Sequence, residues 1–102
     1  MINGLDTKAK SGVVPGQVII VKRGRDKGNM MIVLAVENEG RAVYLRLADG
    51  KTRLITKPKK KKITHVQPTN TVVNLQRVGP RGLQDADIRK MLGEEVSALG
   101  KN

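Results

Sequence analysis

Between Gly16 and Gln67 the apolar residues come in short runs, many of them β-branched, each cut off by a charged or glycine-bearing segment. The longest, Met30 to Val36, is seven residues. Such runs suit strands and are far too short for a membrane-spanning helix. The interruptions are strongly basic. The stretch holds 13 Lys and Arg against 4 Asp and Glu, which is +9 of the chain's formal +11, while residues 1–15 and 68–102 carry +1 each. One sign of charge gathered on a small module costs self-repulsion unless a polyanion neutralises it, and RNA or DNA phosphate is the commonest polyanion available.

The strand pattern can be followed along the chain. Gly16 introduces Gln17-Val18-Ile19-Ile20-Val21, a run suited to a strand buried on both faces. Lys22 to Asn29 then breaks the run, with Gly24 and Gly28 free to take positive φ in a tight connection. Met30 to Val36 supplies the second strand, and Val43, Leu45 and Leu47 alternate with Tyr44 and Arg46 in the third. Asp49-Gly50 is a hairpin signal leading to a fourth strand over Thr52 to Ile55. Thr56 to Lys62 contains Pro58 and five lysines, which excludes a central strand, and Ile63 to Val66 is expected as a fifth. The expected fold is mainly β: a small five-stranded barrel over 16–67 followed by a C-terminal helix.

The single aromatic residue, Tyr44, leaves the core to Val, Ile, Leu and Met. A module of about 50 residues is marginal alone, so segments outside it are expected to add stability. Residues 1–15 read as a flexible leader anchored from about Val13, and Pro68 and Asn70 read as an exit from the barrel. Val72 to Val78 is left unassigned, and Gly79-Pro80-Arg81-Gly82 is a break. Beyond it, Leu83, Ile88, Met91, Leu92, Val96 and Leu99 recur near helical spacing, with Asp85 and Asp87 in the first turn and Gly100 as a stop, predicting a helix from about Asp85 to Ala98. Gly93 weakens that helix by roughly 1 kcal/mol relative to Ala, so it is expected to depend on docking its apolar stripe, against the barrel in preference to a partner protein. No cysteine is present and residues 1–15 lack a signal-peptide core, so a soluble cytoplasmic protein is expected, with no membrane partner.

The spacing Gly16-Gln17-Val18-Ile19-Ile20-Val21-Lys22-Arg23-Gly24-Arg25-Asp26-Lys27-Gly28, followed by Met30 to Val36, resembles the KOW motif of strand, basic glycine loop and strand. With Leu47-Ala48-Asp49-Gly50 and the lysine cluster before Ile63, the chain is similar to KOW-containing large-subunit ribosomal proteins and, more closely, to small bacterial KOW-domain RNA-binding proteins. Where many KOW motifs carry a further glycine, this chain has Met30 and Met31. The resemblance implies an SH3-like barrel whose loop contacts RNA in a ribosome-related role, with ribosomal RNA and ribosomal proteins as partners.

The residues point to phosphate contact independently of any family. Gly24 and Gly28 leave backbone amides open to approach, while Lys22, Arg23, Arg25 and Lys27 supply charge and forked donors. Asp26 is placed either to brace an arginine or to cap the turn. The second cluster is Lys57, Lys59, Lys60, Lys61 and Lys62, a composition shared with nuclear-import signals and solubilising segments. Lys51 and Arg53, two apart in the expected fourth strand, would extend the patch on one face. Tyr44 and His65 are the rings available for base stacking, too few for a reader of unpaired bases, so readout of shape and phosphate in structured RNA is expected. Tyr44 is expected as a packed or half-buried strand residue and His65 as a surface or edge histidine.

An enzyme needs a positioned acid, base, nucleophile or metal, and this chain has one histidine, no cysteine and acids scattered among cations. Gly24-Arg25-Asp26-Lys27-Gly28 lacks the length and the closing Lys-Ser/Thr pair of a Walker loop. A non-enzymatic protein with no cofactor and no small-molecule substrate is expected. The alternative is a protein-interaction adaptor of the transcription-elongation or ribosome-assembly type, whose charge is secondary.

Overall fold

A computed structural model of the protein describes residues 12–100, with side chains described as far as residue 94. Of the expected leader, residues 1–11 lie outside the described part, and Val13 is buried in the core. Five antiparallel strands, β1 (Gln17–Val21), β2 (Met30–Glu39), β3 (Ala42–Ala48), β4 (Lys59–Lys62) and β5 (Val66–Val72), form one sheet, and a C-terminal helix, α1 (Asp85–Gly100), follows. The strand order is β4-β3-β2-β1-β5. The two edge strands are joined by a 3-10 turn, Ile63–His65, which carries the chain from one edge to the other and gives the sheet a small barrel-like form.

Alternation along β1 and β2 explains why β1 reads as buried on both faces and β2 opens on an unbroken apolar run. Ile19, Val21, Met31 and Val33 face an interior completed by Val13, Leu45, Leu47 and Val66. Val18 and Ile32, paired in register, face outward, and there they meet Ile88 and Leu92 of α1. The helix thus covers an apolar face that a free sheet would leave in water. Each of those two side chains contributes about 1.5–3 kcal/mol by burial, enough to offset the roughly 1 kcal/mol cost of Gly93.

The count of strands matches the sequence expectation, but two of them lie elsewhere. Thr52 to Ile55 is not a strand, because its backbone groups are taken by other partners. Asp49 Oδ1 accepts the amides of Lys51 (2.9 Å) and Arg53 (2.8 Å), and Arg53 O accepts the amides of Asp49 and Gly50. The Ile55 amide donates to Asp85 Oδ1 at 2.8 Å, at the first turn of α1. The segment is a cradle for the helix. The fourth strand is the lysine run itself, at an edge of the sheet, which agrees with its exclusion from the centre.

Ile63 to His65 is the 3-10 turn, and β5 starts at Val66 and runs through Pro68 and Asn70, which do not mark an exit. Pro68 is accommodated because β5 is also an edge strand and its register with β1 shifts between Gln17 and Ile19, where a bulge relieves the ladder of regular donors. The helix extends to Gly100, two residues past the expected end.

Candidate nucleic-acid interface

The β1–β2 connection is built from two successive turns, with the Lys27 amide donating to Gly24 O (3.1 Å) and the Asn29 amide to Asp26 O (2.9 Å). Gly24 has φ of +90° and Gly28 +89°, values that favour glycine. The loop closes on the sheet through the Gly28 amide, which donates to Val21 O at 2.8 Å. Its crown stays open: the amides of Arg23, Gly24 and Arg25 donate to no acceptor among the described residues. Lys22, Arg23, Arg25 and Lys27 are all exposed around it. Free amides at a glycine turn ringed by cations form a surface able to receive phosphate oxygens.

Asp26, expected to brace an arginine or cap the turn, is buried and its side chain braces Arg53. Its side chain accepts from Arg53 Nη2 at 2.9 Å and its carbonyl from Asn29. Arg53 therefore serves as a strut between the loop and the 49–55 cradle, with its guanidinium committed to a protein carboxylate. Lys51 is exposed beside Asn29 and Met30, in a groove formed with Arg89, Leu92 and Gly93 of α1.

The lysines of β4 divide between two faces. Lys59 and Lys61 stand opposite Leu47 and Leu45, whose side chains enter the core, and both are half-buried, their stems lying along the rim. Lys60 and Lys62 stand opposite Arg46 and Tyr44 and are exposed on the outer face. Lys60 is tied to Glu39 at 2.6 Å and lies 4.7 Å above the centre of the half-buried Tyr44 ring. Arg46 pairs with Glu37 at 2.8 Å on the same face, and that hydrogen bond holds the Glu37 carboxyl below its usual range. The outer face of β2–β3–β4 thus neutralises part of its own charge.

The inner flank of β4 meets the loop. A Cβ added at Gly24 would lie 2.6 Å from Lys61 Nζ, so the ammonium rests directly over the glycine. The Lys22 amide donates to His65 O at 2.8 Å, joining the start of the loop to the turn that follows β4. His65, half-buried there, is held below its ordinary pKa, first by burial and then by the fields of Arg23, Lys61, Lys62 and Lys22. The two basic segments, more than thirty residues apart in sequence, converge on this histidine. Lys57, exposed in the turn before β4, and the half-buried Lys59 continue the same chain segment.

His65 is the member of this cluster that sequence reasoning passed over. A strand over 63–66 gave no reason to bring it to the loop, whereas a 3-10 turn directly after β4 does. Among the described residues there is no cluster of His, Cys, Asp and Glu able to hold a metal ion, and no helix is long and apolar enough to cross a membrane. No protein-family model matches the chain, and no curated protein matches it significantly.

Proposed function

We propose that this protein is a non-enzymatic RNA-binding protein, ribosome-associated, that grips the phosphates of structured ribosomal RNA with the β1–β2 loop and the end of β4. The observation that carries the reading is the approach of Lys61 Nζ to Gly24, with Lys22, Arg23, Lys61 and Lys62 all acting on one histidine. Cations drawn together from two segments repel one another in the free protein, and a phosphate backbone laid across them relieves that cost. The glycine crown of the loop lets a phosphate approach backbone amides, and the scarcity of rings disfavours base stacking as the main contact. The resemblance of Gly16 to Val36 to the KOW motif supports the same reading and supplies the ribosomal association.

Sedimentation of the protein with ribosomal subunits through sucrose gradients of stepped salt tests the proposal. Co-migration at low salt that disappears as salt rises is expected, together with direct binding to deproteinised ribosomal RNA. Absence of RNA binding at near-physiological salt, with partners that survive nuclease treatment, would instead make the chain a protein-interaction adaptor.

A further inference from the structure

Resting on the RNA-binding proposal, we infer that His65 is itself a phosphate-contacting residue, that it engages RNA as the imidazolium, and that binding therefore takes up a proton. The site is a cluster with a fixed frame. His65 sits in the 3-10 turn between β4 and β5, and its carbonyl is pinned by the Lys22 amide at 2.8 Å. The fields of Lys22 and Arg23 act on it from the loop after β1, and those of Lys61 and Lys62 from the end of β4. The titratable side chain that β3 brings to this end is Tyr44, opposite Lys62. Among the described residues, the charged groups acting on the imidazole are all cations.

A lone histidine in such a cluster responds to whether an anion is present. In the free protein, burial and four neighbouring cations favour the neutral ring. A phosphate placed over the cluster cancels the repulsion and adds an acceptor for the ring N–H, which favours the charged ring. The pKa is thus lower in the free protein than in the complex. Between those two values the complex holds more protons than the separated partners, so affinity rises as pH falls through that window. This places a pH-dependent contact at the junction of the two basic segments, where the sequence shows only fixed charges.

The test is the affinity of the full chain for deproteinised ribosomal RNA at about pH 7.5 and about pH 5.5, at constant salt, for the wild type, His65→Gln and His65→Arg. The wild type is expected to bind about three- to tenfold tighter at the lower pH, each unit of pKa difference being worth up to tenfold. His65→Gln is expected to lose that gain, and His65→Arg to bind tightly at both values. Calorimetric titration near pH 6.5 in buffers of different ionisation enthalpy should show net proton uptake for the wild type and not for either variant. Equal pH slopes in wild type and His65→Gln, or RNA binding without proton uptake, would overturn the inference and leave the RNA proposal standing. No RNA binding at either pH would overturn both.

Discussion

Arg53 donates to Asp26 Oδ2 from two nitrogens, Nε at 3.2 Å and Nη2 at 2.9 Å, and so ties the crown of the β1–β2 loop to the cradle that holds the helix. The partners are unequally buried, with side-chain exposures of 10% for Asp26 and 29% for Arg53. Removing the arginine strands a carboxylate that water reaches poorly, whereas removing the aspartate leaves a guanidinium that can turn outward. Arg53→Ala is therefore expected to cost about 2–4 kcal/mol and Asp26→Ala about 1–3, measured by urea denaturation. The reverse order would mean that the aspartate acts mainly through the turn rather than the strut. For RNA, a committed arginine predicts that Arg53→Ala weakens affinity through loop disorder while leaving the salt dependence of binding unchanged.

The ion pair that Lys60 alone of the β4 lysines makes with an acidic side chain among the described residues predicts unequal effects from chemically identical substitutions. Lys61 and Lys62 act on the convergence point at His65, while Lys60 is neutralised by Glu39. Lys61→Ala and Lys62→Ala should each reduce the slope of log affinity against log salt by about 0.7–0.9 for every phosphate that the variant no longer neutralises. Lys60→Ala should leave the slope nearly unchanged and stability almost unaffected, since an exposed ion pair contributes little. Three equal slopes would show that the run acts as one diffuse charge and that the Lys60–Glu39 pair has no bearing on RNA.

The sequence made the first three strands legible because their alternation, glycine turns and β-branched content all agree on one structure. What it concealed were segments whose partners are distant. Thr52 to Ile55 has the composition of a strand, yet Asp49 takes its amides from one side and Asp85, thirty residues later, from the other. The lysine run has poor strand propensity and pairs nonetheless, because Leu45 and Leu47 offer an edge over which lysine stems can lie. The basic character of the site was plain from charge alone. Its geometry was not, since neither the engagement of Arg53 by Asp26 nor the arrival of His65 beside Arg23 follows from spacing within any one segment.

Gly50 brings the cradle directly against the helix. Its φ is +77°, and a Cβ there would lie 2.5 Å from the carbonyl oxygen of Asp85 and 2.9 Å from Arg89 Cγ. Its own carbonyl accepts from Arg89 Nη1 at 2.6 Å, so the approach is held from both sides. The obstacle is helix backbone, which has nowhere to swing. Gly50→Ala combines a disfavoured φ with that clash and should cost about 2–4 kcal/mol, with α1 displaced from Val18 and Ile32. Hydrogen exchange would report the displacement as weaker protection in α1 and on the outward face of β1 and β2. A variant as stable and as protected as the wild type would show that the helix docks without this close approach.

Asp49 gives the cradle its pH dependence. Burial raises its pKa, but the Arg53 and Lys51 amides, the Thr52 hydroxyl and the Thr52 amide together outweigh burial and hold the carboxyl below its ordinary value. A depressed carboxylate pKa adds stability that is fully present above the unfolded value, about 3.9, and is lost as pH falls through the folded value beneath it. Asp49→Asn keeps the shape but forfeits the charge, and is expected to cost about 1–2 kcal/mol at neutral pH. As acid protonates the wild-type carboxylate, the two proteins should converge, so the difference in urea midpoint seen near pH 7 should shrink by about pH 3. A difference that stays constant over this range would mean that the loop is held by its shape and that the charge on Asp49 contributes nothing to it.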